Sequence, residues 1–380
     1  MSWTLSSIHS TRVSVDAKTF HARPKDKNWM RIVKEVDPAS YELLMGCGRM
    51  FWTAKCLGQE QHTTHVKNMC RKDSLCSADS YRRTMELTED LVRVVREICL
   101  AARAKERFWR WEVTVPPDMR RRMTLADLDE VAVMARKYVE GYLKSFLRIE
   151  RHESVRMGTL VVPSFIHSSD PFGMRKEHAA DRRHFHVHGV TFGFGVNVAD
   201  DSIVRFDRMF IDDDKNFVRF RAGWRELLEA RFGKSDAVDM DLFVRYESGE
   251  DELRHRVRYM FRGNVEDFER FVRRYGYPEG YDVEHVRSAL LEKNRRPRVR
   301  YYGWLSSRSL AKDSPFMKRL HVELPKKLIR IKQARKMYCD KCGCEMEIDY
   351  YGGLKTQAEI EAEGGTISVR LRRPLVFDGG

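Results

Sequence analysis

Three histidines alternate with apolar residues in His184-Phe185-His186-Val187-His188, a pattern that commits the segment to a β-strand whose imidazoles share one face. The flanks agree, since Val187, Val190, Thr191, Phe192 and Phe194 favour strands while Gly189 and Gly193 give no helical drive. With a rise of roughly 3.3 Å per residue, neighbouring imidazoles start roughly 6.6 Å apart at Cα, close enough for their ring nitrogens to converge on one cation. The helical His-x-x-x-His of zinc proteases differs, because a turn of helix sets its spacing. A single strand histidine is usually a hydrogen-bonded polar group. Three in register point to a metal, the alternative being a wet, basic sheet face.

The charge balance suggests what such a site acts on. The 380 residues carry 70 Lys and Arg against 56 Asp and Glu, a formal charge of +14 that predicts a polyanionic partner. Basic residues interleave with aromatics in Arg107-Phe108-Trp109-Arg110-Trp111, Arg270-Phe271-Val272-Arg273-Arg274-Tyr275 and Arg296-Pro297-Arg298-Val299-Arg300-Tyr301-Tyr302. Arginine pairs with phosphate and aromatic rings offer stacking faces, so this pattern suits single-stranded nucleic acid better than a membrane. Many of these arginines are also expected to be solvated faces of ordinary helices. No signal peptide is legible and no window approaches the ~18 apolar residues of a membrane span, so an intracellular, cytoplasmic protein is expected.

The eight cysteines are then expected to be reduced, and their placement matters more than their number. Cys99 stands alone in an apolar helical run and reads as a packing residue. Cys47, Cys56, Cys70 and Cys76, with His62 and His65 among them, form an N-terminal cluster, and Cys339, Cys342 and Cys344 form a C-terminal one. Cys-x-x-Cys followed by glycine aims two thiolates at one tetrahedral ion but is only half a zinc site. The missing ligands come either from the N-terminal cluster, which ties the chain's ends together, or from two separate, partly degenerate sites. Free buried thiols are the bland alternative.

The chain divides into a Cys/His-rich module (1–80), a central domain (81–275) and a basic C-terminal region with the Cys knuckle (276–380). The central pattern is a helix over 81–103 with Leu87, Leu91, Val94, Val95, Ile98 and Leu100 on one face, then a strand from Trp109 to Val115 ended by Pro116-Pro117. A helix capped by Thr124 follows, burying Leu125, Leu128, Val131, Ala135, Tyr138, Tyr142 and Phe146. Next come a strand over 158–162, a loop with His167, and the histidine strand. The order predicts an α+β fold, an antiparallel sheet with helices packed on it. A helix over 253–271, interrupted near Gly263-Asn264, carries Tyr259 with Arg256 and Arg262 three residues to either side. Two cations there can stabilise negative charge at the phenol oxygen and hold a phosphate beside it, although an aromatic in a basic helix is more often a packing residue. From about residue 311 the chain is basic through Lys318-Arg319, Lys326-Lys327 and Arg330, suiting phosphate contacts to duplex or hairpin DNA, and it closes with a strand-like stretch over 366–371.

In order, these motifs resemble the HUH endonucleases, specifically rolling-circle replication initiators of archaeal and Gram-positive plasmids and the related rolling-circle insertion-sequence transposases. Glu112-Val113-Thr114-Val115-Pro116 resembles their first motif, Arg183-His184-Phe185-His186-Val187 their second and Arg258-Tyr259-Met260-Phe261-Arg262 their third. The stretch from Arg298 to Ser306 and the Cys339-x-x-Cys342-Gly343 knuckle add to the likeness, which spans about residues 45 to 350, as does the Cys70 to Cys76 element.

The resemblance implies a ferredoxin-like sheet core flanked by small zinc elements, with paired ligands at His184 and His186 for Mg²⁺ or Mn²⁺. His188, at a position usually apolar, or Glu112 completes the set, with His167 a weaker candidate. The cysteine clusters themselves lead to an expectation of Zn²⁺ at Cys56, Cys70, Cys76, Cys339, Cys342 and Cys344. Tyr259, assisted by Arg262, is implied as the nucleophile that nicks single-stranded DNA through a 5′-phosphotyrosine. Arg256, Arg258, Arg298, Arg300, Tyr301 and Trp304 are implied as DNA contacts. The second tyrosine of many relatives is replaced by Arg262-Gly263, so release requires an activated water, with Glu252 or Glu266 as its base, or a second protein copy. The implied partner is single-stranded or hairpin DNA at a replication origin or element end, together with a host helicase or polymerase. The expected role is initiation of rolling-circle replication of a plasmid or virus; the alternatives are a transposase and a non-catalytic zinc-dependent nucleic-acid-binding protein.

Overall fold

The computed structural model describes residues 26–365 except 46, 48–49, 60–61, 68–69, 71, 73, 146–153, 175–183, 201, 206–213, 238–241, 292–298, 312, 321–336 and 340. Arg183, Arg298, Phe146, the basic residues at 326, 327 and 330, and the stretch over 366–371 therefore lie outside the described residues.

The fold is α+β. A small sheet is built from β1 (Met50–Cys56) and β2 (Thr63–Lys67), near the start of the chain, with β9 (Met337–Tyr338) and β10 (Glu345–Thr356) near its end, in the order β2-β1-β10-β9. The main sheet comprises β3 (Arg107–Thr114), β4 (Val155–Ser164), β5 (His186–Asn197), β6 (Ile203–Arg205), β7 (Leu242–Ser248) and β8 (Arg300–Tyr302). Its order is β7-β3-β5-β4-β8, with β6 paired to β5, and these neighbours run antiparallel.

Alternation along the central strands divides the core into two layers. One face of β3 and β5 carries Trp109, Trp111, Val113 and Val187, which join Leu128, Val131, Ala135 and Val139 of the helix Leu125–Ser145 and Phe220, Trp224 and Leu228 of the helix Asp214–Phe232. The other face carries Phe108, Val190, Phe192 and Phe194, which pack with Leu91, Val94, Val95 and Ile98 of the helix Ser77–Ala101 and with Leu253, Val257 and Met260 of the helix Glu250–Phe261. Leu100, expected on the buried face of the long helix, is exposed, while Val92 and Cys99 are buried.

Two glycines make these layers fit. Trp111 crosses β5 at Gly189, where a Cβ would lie 2.0 Å from the indole, and its Nε1 donates to Thr191 Oγ1 at 3.0 Å. Trp304 crosses β4 at Gly158, where a Cβ would lie 2.2 Å from the indole. Its ring stacks on Phe194 at 4.5 Å and its Nε1 donates to the Phe194 carbonyl at 3.1 Å. Trp304 is 2 % exposed and thus a core residue, not a stacking surface for bases. Among the described residues no helix is long and apolar enough to cross a membrane.

The predicted break after the tyrosine is present: the helix Glu250–Phe261 ends at Arg262, and a second helix, Asn264–Tyr275, starts after Gly263. A Cβ at Gly263 would lie 2.2 Å from Ser80 Oγ, so only glycine lets the corner approach the long helix this closely. The turn leaves Met260 and Phe261 buried and Tyr259 on the outer side, 47 % exposed.

Candidate active site and metal-binding groups

Antiparallel pairing of β3 and β5 sets Glu112 opposite His188 and Thr114 opposite His186. Residues two apart share a face, so Glu112, His186 and His188 gather on one side of the two central strands. Their candidate ligand atoms lie within 4.8 Å of one another. His188 Nδ1 is 3.1 Å from Glu112 Oε2, and the His186 and His188 rings meet edge to face at 4.6 Å. His186 Nδ1 lies 2.8 Å from the His184 carbonyl; a carbonyl oxygen can only accept, so this nitrogen carries the proton and Nε2 keeps the lone pair a cation needs.

His184 stands just before the strand and outside this group. Its Nδ1 accepts from Arg120 Nη1 at 2.7 Å, and its ring is 5.1 Å from His167. Arg120, itself buried, also donates from Nε to the Val115 carbonyl, so the His184 nitrogen that faces it is engaged by a guanidinium. The imidazoles that converge with a carboxylate are thus His186 and His188, two residues beyond the pair the resemblance implies.

Burial by itself raises the Glu112 carboxyl pKa, but the hydrogen bond from His188 and the charges of His188, His186 and Arg110 outweigh it and hold the group below the usual carboxylate range. A carboxyl whose pKa is lower folded than unfolded contributes stability in full above its unfolded value of about 4.3, and this is lost as pH falls through the folded value. In EDTA, Glu112→Gln is therefore expected to be less stable than wild type at pH 7, with the difference shrinking toward pH 3 in urea titrations. A difference constant across that range contradicts this reading.

Tyr259 reaches the group from the helix above. Its ring meets His188 edge to face at 5.7 Å, and Arg262 Cζ lies 5.1 Å from the Tyr259 ring centre. Arg262 Nη2 also donates to Asp267 at 2.7 Å, which fixes the guanidinium at the helix corner. Glu112, His188, Tyr259, Arg110, Arg256 and Phe243 line one small cleft. Arg256 faces it while paired to Glu247 and Glu252, at 3.0 and 2.5 Å.

The other expected residues are more scattered. Arg258 Nη2 donates to Tyr81 Oη at 2.7 Å, on the long helix. Arg300 is ion-paired to Asp129, which ties β8 to the helix Leu125–Ser145. Tyr301 is partly exposed on edge strand β8. Glu252 serves Arg256, whereas Glu266 accepts from Ser80 Oγ at 3.1 Å and has its pKa raised by burial.

The cysteines divide between two groups. Cys56 and His62 join Cys339 and Cys342 across the small sheet, with the Sγ atoms of Cys56 and Cys342 3.4 Å apart and Cys339 Sγ 3.5 Å from His62 Nδ1. Cys344 lies beside that group without belonging to it, its thiol directed at the Cys342 carbonyl at 3.8 Å. Cys70 and Cys76 instead gather with Cys47 and Asp79. The sequence lists His62 among the cluster histidines but gives no reason to prefer it to His65, which sits opposite Thr53 in the β1–β2 ladder. Each group has the residue types and separations to hold a metal ion. No family model, curated protein or solved structure matches this chain.

Proposed function

We propose that this chain is a metal-dependent tyrosine endonuclease of the HUH class that nicks and rejoins single-stranded DNA, and that it serves to initiate rolling-circle replication of a plasmid or virus. The observation that carries the reading is the convergence of Glu112, His186 and His188 on two central strands with Tyr259 edge-on to His188. Two imidazoles and a carboxylate suit Mn²⁺ well, and Mg²⁺ less well because it prefers oxygen. Such an ion, once bound, supplies polarisation of the scissile phosphate and neutralises charge building on its oxygens.

The chain's own residues supply the rest. Tyr259 Oη attacks the phosphorus in line; the bond to the 3′ oxygen breaks, the phenolic proton is given up to solvent, and the leaving oxygen takes a proton to become a 3′-hydroxyl. The phosphate stays on Tyr259 as a 5′-phosphotyrosine, so the bond energy is kept for rejoining. Arg262 beside the ring adds positive charge near the transferred phosphate. Arg110 and Arg256 in the same cleft suit the flanking backbone, in keeping with the overall charge of +14. At the small sheet, Cys56, His62, Cys339 and Cys342 form a Cys₃His set that fits Zn²⁺ and staples the two ends of the chain.

The test uses a randomised single-stranded DNA pool incubated with the protein and Mn²⁺, then resolved on a denaturing gel. A protein-linked DNA species that requires the divalent ion and disappears in His186→Ala supports the reading. DNA binding with no linked species in Mg²⁺, Mn²⁺ or Co²⁺ contradicts it and leaves a non-catalytic binding protein.

A further inference from the structure

We infer that Cys47, Cys70, Cys76 and Asp79 form a second thiolate metal site, and that the ion held there sets where Tyr259 stands. Three separate segments bring the ligands together: the turn after the helix Pro38–Met45, the loop after β2, and the first turn of the helix Ser77–Ala101. All four candidate ligand atoms lie within 4.8 Å of one another. The Sγ atoms of Cys47 and Cys76 are 3.5 Å apart, and Cys70 Sγ is 3.1 Å from Asp79 Oδ2. A tetrahedral ion with sulfur bonds of about 2.3 Å has sulfur–sulfur edges of about 3.8 Å, close to this spacing, whereas a disulfide requires about 2.05 Å. Cys47, Cys76 and Asp79 are buried, with Asp79 1 % exposed. A buried carboxylate among three thiols is costly unless cations balance it; Arg82 contributes one at 3.2 Å, and a divalent ion would balance the thiolates as well.

The ligand turn runs directly into the contacts that hold the tyrosine helix. Cys76 is the N-cap of the long helix and makes no side-chain capping bond. One residue beyond Asp79, Ser80 donates to Glu266 and fills the space beside Gly263. Tyr81 accepts from Arg258, and Thr84 Oγ1 donates to the Phe261 carbonyl at 3.1 Å. These residues touch Arg258, Phe261, Gly263 and Glu266, on both sides of Tyr259. An ion that fixes the first turn of the long helix therefore fixes the corner from which Tyr259 projects. The ion's part in positioning the nucleophile rests on the function proposed above; the site itself does not.

Titration of the metal-free full-length protein with Co²⁺, read by thiolate-to-cobalt charge-transfer absorption, tests the site without reference to catalysis, because the Glu112–His186–His188 group has no thiolate and is silent in that band. The absorption is expected to grow over two equivalents in wild type. Saturation at one equivalent in wild type with loss of the band in Cys342→Ser, or a Cys47–Cys76 disulfide in non-reducing mass analysis, overturns the site. Hydrogen–deuterium exchange of a peptide covering residues 258–266 tests the positioning. Exchange is expected to speed up several-fold in Cys70→Ser and to stay at the wild-type level in Cys342→Ser. Equal exchange in both variants and wild type overturns the positioning role. Should Cys70→Ser not fold, the same peptide is compared in wild type carrying one and two equivalents of cobalt, with protection expected to rise as the second site fills and an unchanged rate counting against the role. If no DNA-linked species forms while both of these results hold, the endonuclease reading fails and the metal site stands.

Discussion

Tyr259→Phe is expected to remove the DNA-linked species completely and to lower nicking by about 10⁴-fold or more, the scale on which enzymes lose rate when their nucleophile is deleted. DNA affinity should stay within a few-fold of wild type, because the ring remains and only its hydroxyl is lost. The fold should be unaffected: Tyr259 is half-exposed, and its neighbours Val257, Met260 and Phe261 make the contacts to the core. A phenylalanine variant that still nicks at near the wild-type rate would move the chemistry to another residue.

The second large effect concerns the small sheet. Cys342→Ser, or chelation of the ion proposed at Cys56, His62, Cys339 and Cys342, is expected to release the sheet formed by β1, β2, β9 and β10 while the main sheet persists. Among the described residues, Ala54, Cys56, Val66, Cys339 and Met346 form a buried cluster in that small sheet, with Trp52, Cys342 and Cys344 partly buried against it. Two of these five, Cys56 and Cys339, are themselves candidate ligands, so an ion there would hold together the described core of the sheet. Structural zinc in small domains supplies apparent binding free energies of about 10–16 kcal/mol, so loss of one thiolate is expected to cost the small sheet on the order of 5 kcal/mol. Limited proteolysis should then cut within 50–67 and 337–356 at low protease. Equal protease resistance in wild type and Cys342→Ser would show that hydrogen bonds alone hold the sheet.

Local periodicity made much of this architecture legible. The His-x-His-x-His alternation identifies β5, the apolar spacing after Thr124 marks the helix Leu125–Ser145, and Gly263-Asn264 marks the corner after the tyrosine helix. Alternation alone puts His184, His186 and His188 on one face and cannot select two of them. Register sets Glu112 opposite His188 and begins the ladder at His186, while His184, just before the strand, meets Arg120 through Nδ1 with its ring 4.9 Å from that of His186. Register between strands some 70 residues apart has no local signature.

The same reason hides the division of the cysteines. Cys56 finds Cys342 only because β1 pairs with β10 from the opposite end of the chain, in a register that sets Cys56 opposite Met346. Trp304 and Arg300 look like nucleic-acid contacts in an aromatic, basic run. In the fold Trp304 fills the space over Gly158, and Arg300 meets Asp129. A tryptophan next to arginines reads the same in sequence whether it faces solvent or core, and only a glycine on a distant strand decides between them.

The most direct measurement is peptide mapping of the DNA-linked protein by mass spectrometry after nuclease and protease digestion. A single modified peptide is expected, carrying a nucleotide joined through its 5′ phosphate to Tyr259 and formed only with a divalent ion present. Linkage to any other residue, or no linked peptide in either Mg²⁺ or Mn²⁺, would contradict the proposed tyrosine chemistry.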